Sequence, residues 1–486
     1  MSKGNSVIVI GGGLGGLSAA ISLAQRGFKV RLFEKNSQFG GKMNRILKDG
    51  VRFDLGPSIL AMPNIFERLF EKSKMKMNDY VELVEENRQY RTFFADGTRL
   101  DLMKELGAMR ATNKNLSDKD IREYEDFLRY GKRIYEETHE QYFENGSDDW
   151  SSYAKFHNPL FLVKRREYFR AMQESIDKRI TNPYLRELLG CPLYFMGVSG
   201  RRAPGIYNVL TYLNSKHGVW YVKGGLHNLA EGLTQLASDV GVELMQDTEV
   251  HKINIEDDKI VSLNLSDGDE TSADYFVSNL APEVFYQLGN PEMKSRVTDS
   301  HEPGPSHFVM LLDLNKQFDI LEHHNVFLSE NLVENDRLLF DDKKLPTDPT
   351  IYVIDETERS AQTRIKIVTP IPMTEREYAL EDYMNLRHAI LTKLERMGLT
   401  DLRKHIVSEV NVTPHDIAET FNSPDGAMYG TKLDARINKG FKHGKRSKKF
   451  NNLYFVGASV HPSATLAMIA LNGQQVARMI RDQDRN

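Results

Sequence analysis

Four apolar residues, Val7 to Ile10, run into a glycine cluster, and helical apolar spacing follows from Leu14 to Gln25 until Gly27 ends it. Val30 to Phe33 is a second short apolar run, so the chain begins with a predicted βαβ unit. From Ser117 the rhythm changes. Ile121, Tyr124, Phe127, Leu128, Ile134 and Tyr135 recur at helical spacing behind Ser117 and Asp120, which are placed like a capping box. Helical character is expected to run on through Pro159 to Leu189, and Leu226, Leu229, Ala230, Leu233, Leu236 and Ala237 form an amphipathic helix stopped by Gly241. Val242 to Met245 and Tyr275 to Ser278 return to strand, and Ile253 to Ala273 alternates around Asp267-Gly268, a hairpin signal. Phe308 to Leu314 and Thr350 to Ile354 are predicted strands, and Tyr383 to Met397 is a predicted helix with Gly398 as its stop. The strand Leu453 to Val456 leads through a turn to a helix around Ala467 to Ile480. No repeat is present, which excludes a solenoid. The pattern predicts a split nucleotide-binding domain with a substrate domain threaded through it.

Composition narrows the function classes. The 486 residues carry 64 Lys and Arg against 68 Asp and Glu, a formal charge of −4, too balanced for a protein that coats nucleic acid. With 40% hydrophobic residues and 27% charged ones, disorder is excluded as a main theme. The single cysteine, Cys191, can form no internal disulfide and no Cys-based metal cluster, which favours the cytosolic side. The N-terminal apolar run is too short for a signal peptide. Leu453 to Leu471 is interrupted by His461 and Pro462, so any membrane contact is expected to be peripheral.

Gly11, Gly13 and Gly16 follow a predicted strand and lead into a helix, the context that gives G-x-G-x-x-G its meaning. The first glycine permits a tight turn, the second lets backbone approach a pyrophosphate, and the third allows close helix–strand packing. Free amides and the helix dipole favour phosphate charge. Glu34 ends the second strand 18 residues after Gly16, where a carboxylate accepts ribose hydroxyls and repels a 2′-phosphate. FAD or NAD is the inference from these residues.

Gly40-Gly41-Lys42 and Phe53-Asp54-Leu55-Gly56-Pro57-Ser58 then resemble the continuation found in the FAD-dependent amine oxidase and carotenoid desaturase superfamily. A second glycine pair lets backbone come close to the flavin side of a dinucleotide. Trp220 to Gly225, Ala273 to Asn279, Thr413-Pro414-His415-Asp416 and Asn452 to Gly457 extend a resemblance to the bacterial phytoene and dehydrosqualene desaturase family nearly end to end. Phe53 to Pro63, Ser175 to Arg179, Asn182 to Leu185, Gly398 to His405 and Gly473 to Ala477 look most like its staphylococcal diaponeurosporene oxygenase branch, which oxidises the terminal methyl of a C30 carotenoid toward an aldehyde. The resemblance implies FAD as cofactor, with contacts also at Leu14, Lys35, Lys42, Gly56, Pro57, Ser58, Val250, Gly457 and Met468.

It further implies an α/β fold: a Rossmann-type FAD-binding domain with an interleaved α+β substrate domain and a helical membrane-associating insertion. The expected segments are 1–100, 221–290 and 441–486 for FAD binding, 101–220 for the helical insertion and substrate entry, and 291–440 for the substrate domain. One departure stands out. Where the family has a glycine-rich His-Pro-Gly-x-Gly-x-Pro turn against the isoalloxazine, this chain reads His461-Pro462-Ser463-Ala464-Thr465-Leu466-Ala467-Met468. Side chains at Ser463 and Thr465 are expected to project toward the flavin.

No hydrolytic triad is recognisable, as suits a flavin enzyme acting on a hydrocarbon, whose apolar tunnel aligns an allylic C–H with the flavin. His461 is the one catalytic candidate, with orientation of the turn as its alternative role. His323-His324-Asn325 is read as an exposed loop whose adjacent histidines point to opposite faces, so no metal is expected. Lys439, Lys442, Lys445, Arg446, Lys448 and Lys449 are read as a solvated loop. Pro159 to Val163 beside Lys164-Arg165-Arg166 looks like an interfacial segment.

These features predict a carotenoid or polyisoprenoid substrate, no nucleic acid, and a cytoplasmic protein peripheral on the inner face of the cell membrane. Terminal oxygenation leads, desaturation is the alternative, and a polyisoprenoid-binding protein without redox chemistry is a third reading. An amine oxidase would carry an aromatic cage near the C-terminal turn, and Ser463 to Met468 offers none.

Overall fold

The structure, a computed structural model, describes residues 5–48, 51–56, 58–144, 146, 148, 150–156, 159–289, 303–357, 363–373, 378–436, 440–462 and 464–485. Its first sheet has five strands in the order Glu243–Met245, Lys29–Phe33, Ser6–Ile10, Tyr275–Ser278 and Leu453–Phe455. All of these pair in parallel. A parallel sheet is covered on both faces, which is why its strands read as unbroken apolar runs. Ile8, Val9, Leu32 and Val277 are fully buried.

The helix Leu14–Ala24 packs against His227–Asp239 and Leu466–Asp484. A Cβ on Gly473 would stand 2.7 Å from the Ala19 nitrogen, so glycine sets how closely the first and last helices cross. The other side receives a meander of Val250–Glu256, Lys259–Leu265 and Glu270–Thr271, whose Ile253 and Leu263 join Ile8, Ile10, Phe33 and Phe276 in one apolar cluster. The meander turns twice. One turn is the expected Asp267-Gly268; the other is Asp257-Asp258, at φ 43° and 57°, which lacks the glycine that marks such turns in sequence.

The second large sheet has seven strands, ordered Ile406–Val412, Ser306–Leu314, Thr363–Ile371, Ile351–Asp355, His324–Phe327, Arg88–Phe93 and Arg99–Met103. The boundary expected at residue 100 therefore falls inside a strand, and residues 88–103 belong to this sheet, not to the nucleotide-binding one. In the intervening segment Asp118–Thr138 is a long helix, and Ser117 and Asp120 form its capping box. The helix expected through Pro159 to Leu189 is broken into Pro159–Lys164, Met172–Asp177 and Pro183–Gly190. Pro183 has no N–H to continue a preceding helix, and Asn182 caps the new one by accepting from the Leu185 amide.

Candidate flavin site and its adjoining cavity

At the carboxyl ends of Ser6–Ile10, Lys29–Phe33 and Tyr275–Ser278 lies an elongated cavity, the place where open α/β sheets bind ligands. Gly11, at φ +92°, turns the chain out of the strand. A Cβ on Gly13 would meet Asn279 Nδ2 at 2.5 Å, and one on Gly16 would meet the Gly11 carbonyl at 2.1 Å. The first position needs an unusual dihedral; the others need hydrogen where backbone and helix converge. No side chain caps the helix at Gly13, so its first-turn amides face the cavity end without a side-chain acceptor.

Glu34 is buried and accepts from the Gly12 amide at 2.8 Å through Oε2 and from the Asn36 amide at 3.0 Å through Oε1. The Asn36 side-chain amide also donates to Oε1 at 3.0 Å, so the carboxylate is aimed and Oε2 retains a lone pair for a hydroxyl donor. The second glycine turn lies directly beside the first: Gly40 donates to the Gly12 carbonyl at 2.8 Å, and a Cβ on Gly41 would stand 3.0 Å from the Gly13 Cα.

Gly11, Gly13, Leu14, Glu34, Lys35, Gly40, Gly41, Lys42, Val250 and Gly457 all line this cavity. Gly16 does not; it acts through packing. Gly56, Ser58 and Met468 line a second, apolar cavity instead, and Pro57 lies outside the described residues. The two cavities share Met428, Tyr429, Ala464 and Leu466, so they meet at the C-terminal turn.

Two expectations are corrected at that turn. His461 lines neither cavity: it is fully buried, stacked on Phe441 with centroids 4.4 Å apart, and burial holds its ring well below the ordinary histidine pKa. Thr465 lines the second cavity only, and its hydroxyl caps the last helix by accepting from the Met468 amide at 3.4 Å. Ala464 and Leu466 are the side chains that face both cavities, whereas Ser463 lies outside the described residues. The basic run is not all solvated either, since Lys442 and Lys445 are buried and Lys439 is outside the described residues. Lys442 donates to the Tyr429 and Ala458 carbonyls, both at 2.9 Å.

Residues that sequence reading missed come from distant stretches. Asn279 sits between the first glycine turn and Gly457, with its Oδ1 buried and, among the described residues, without a hydrogen-bond partner. Lys42, an expected contact, reaches these stretches too: it donates to Ser423 Oγ and to the Ala427 and Met428 carbonyls at 2.7 to 2.9 Å, and burial lowers its pKa to about 7. In the second cavity Phe195, Leu210, Val309, Ile354 and Val368 form apolar wall, interrupted by Tyr90, Tyr352, His307 and Lys366. Lys366 is buried and donates to the Asp54 and Gly56 carbonyls at 3.1 and 2.8 Å. The Thr413-Asp416 motif is a helix cap, a structural device away from both cavities.

A glycine-lined dinucleotide trough that joins an apolar chamber defines a flavin-dependent oxidoreductase. Residues 14–349 match the model of the flavin containing amine oxidoreductase family. The chain belongs to that family. It is 44% identical, over 98% of both chains, to a 4,4'-diaponeurosporene oxygenase of Staphylococcus aureus strain bovine RF122 / ET3-1, and 43% identical over 98% of both to the protein of the same name in strain USA300. Its fold is shared with a putrescine oxidase variant (TM-score 0.66, 13% identity, 98% and 99% of the two chains covered). It is likewise shared with a fatty acid isomerase from P. acnes that produces CLA (TM-score 0.65, 13% identity, 99% of each chain). The protein is an FAD-dependent enzyme of mixed α/β fold, and the Glu34 carboxylate, the paired glycine turns and the unpartnered Asn279 oxygen fit that cofactor.

Proposed function

We propose that the protein oxidises the terminal methyl of a C30 diapocarotenoid, diaponeurosporene or diapolycopene, toward an aldehyde. The observation that carries the reading is the apolar second cavity meeting the dinucleotide trough at Ala464 and Leu466. Its strongest support outside the geometry is 44% identity to a diaponeurosporene oxygenase. Methyl to aldehyde removes four electrons and takes up one oxygen atom, so FAD, when bound, would accept electrons two at a time with dioxygen as oxygen source and terminal oxidant, R-CH3 + O2 giving R-CHO + H2O. The walls around Phe195, Leu210 and Val368 take a polyene chain by burying its surface, since a hydrocarbon offers no polar handle. Lys42 and Lys442 tie down residues 427–429 and 458, which holds Met428 and Tyr429 in the shared wall between trough and chamber.

The protein acts as a cytoplasmic, peripheral protein on the inner face of the cell membrane, where carotenoids reside. Support comes from the Pro159–Lys164 helix, where Leu160 and Val163 are 61% and 66% exposed beside exposed Lys164 and Arg166. Arg165 is engaged by Glu137. No helix among the described residues is long and apolar enough to cross a membrane. Vesicle sedimentation tests the contact: Leu160→Asp with Val163→Asp should release the protein, and unchanged sedimentation would overturn it. Expression in cells that make diapocarotenoids tests the activity, with new carbonyl-shifted pigment expected for the wild type and none for Glu34→Arg.

A further inference from the structure

We propose that Glu86, His323 and His324 form a site for one divalent first-row transition cation of the zinc or iron(II) class. Strand alternation would send two adjacent histidines to opposite faces, but it applies only within a strand. His323 lies in the bend before His324–Phe327, and the two rings come together with centroids 4.1 Å apart at 67°. Glu86 ends the strand Leu83–Glu86, and one of its carboxylate oxygens and one nitrogen from each ring lie within 4.8 Å of one another. The expectation of no metal therefore fails on its premise, because the rings converge and a third donor is present.

A hydrogen bond fixes what the His323 ring offers. His323 Nδ1 is 2.9 Å from the Asp355 carbonyl, which can only accept, so that nitrogen carries the proton and Nε2 presents a lone pair. His324 Nδ1 is 2.7 Å from the Tyr352 hydroxyl. Both Nε2 atoms are buried and, among the described residues, have no hydrogen-bond partner. Two buried ring nitrogens left without a hydrogen-bond partner are costly unless something else satisfies them. Metal-ligating histidines characteristically bond their second nitrogen to a carbonyl or similar group, as His323 does here.

His324 is buried, and a neutral imidazole is the ligating form. The nearby positive charge, Lys366, is held by two carbonyls and lies 3.8 Å from the Glu356 carboxylate, which offsets part of its repulsion. Two imidazoles and a carboxylate suit zinc or iron and leave coordination positions open. Donors on a tetrahedral zinc stand about 3.4 Å apart, so the set closes by roughly 1 Å on binding. Glu86 is the half-buried member of the set. Tyr352 also lines the apolar chamber, which puts this site one hydrogen bond behind the chamber wall and apart from the flavin trough.

Metal analysis of the FAD-loaded protein, followed by EDTA treatment and titration with Zn2+ or, anaerobically, Fe2+, tests the assignment; Co2+ serves as the optical reporter. One ion per chain is expected. His323→Ala and Glu86→Gln should each weaken uptake roughly tenfold or more at unchanged flavin content. His324→Ala is the third variant, and its fully buried position makes the other two decisive if it fails to fold. Tighter binding of Zn2+ or of Fe2+ identifies the ion. No saturable uptake of any of the three ions, or uptake unchanged in the His323→Ala, Glu86→Gln double variant, would overturn the site.

Discussion

The Lys42 ammonium, on the second glycine turn, donates to the Met428 carbonyl at 2.9 Å. Because Met428 faces both cavities, this bond ties the dinucleotide trough to the chamber that adjoins it. Lys42→Met should remove three hydrogen bonds and leave the Met428 carbonyl without its Lys42 donor, while Ala427 keeps the Ser423 hydroxyl. A loss of about 1–3 kcal/mol in unfolding free energy is expected, together with reduced turnover, read by urea titration and by product formation. Wild-type values in both would show that the tether is dispensable.

Glu34 carries the cofactor assignment. Glu34→Gln keeps the size and loses the charge, and a charge-assisted hydrogen bond of about 1.5–3 kcal/mol corresponds to a roughly 10- to 100-fold weaker affinity for FAD. Glu34→Arg should abolish binding. Flavin fluorescence titration of the apoprotein measures both, and full affinity in Glu34→Arg would remove Glu34 from the site.

Thr465 acts as a helix cap on this structure, so Thr465→Ala should cost about 1 kcal/mol of stability while flavin content stays the same. Thermal unfolding and the flavin absorbance per chain separate the two effects. Loss of flavin in that variant would mean that the side chain reaches the trough after all.

Filling the chamber should block substrate without touching the cofactor. Val368→Phe places a ring in the apolar wall, and a fall of roughly tenfold or more in turnover at unchanged flavin occupancy is expected from a misplaced chain. Unaltered turnover would place the substrate elsewhere.

Buried histidines give a pH signature. Burial, then the Lys42 charge, lowers His307 to about 3. The unfolded chain takes up that proton near 6.5, so this depressed pKa contributes stability that is full above pH 6.5 and is lost as pH falls toward 3. Between those values the slope is about 1.4 kcal/mol per pH unit. Urea unfolding from pH 6.5 to 4.5 should be flatter by that amount in His307→Gln; identical slopes would contradict it.

The trough was legible because its parts lie close in sequence: Gly11, Gly13, Gly16, Glu34 and Gly40 sit on one βαβ unit with known spacing. Asn279, Met428 and Tyr429 were not, since only tertiary folding brings them beside those glycines. Thr363–Ile371 is a strand whose charged Arg364 and Lys366 and whose Pro370 obscure its apolar pattern in sequence, and the burial of Lys366 is set by tertiary packing alone. The lysine run shows the limit of charge patterning. Lys442 and Lys445 look like surface residues in sequence, but both are buried: Lys442 donates to two backbone carbonyls and Lys445 pairs with half-buried Asp148. His323 and His324 misled for a geometric reason, a bend just ahead of a strand.

The central claim is oxidation of a carotenoid chain end, and the accurate mass of the pigment formed by purified, FAD-loaded protein from diaponeurosporene tests it most directly. Conversion of a methyl to an aldehyde adds one oxygen and removes two hydrogens, and that product is expected from the wild type and absent from Glu34→Arg. A product that has lost two hydrogens with no oxygen gained, or substrate recovered unchanged, would contradict the account.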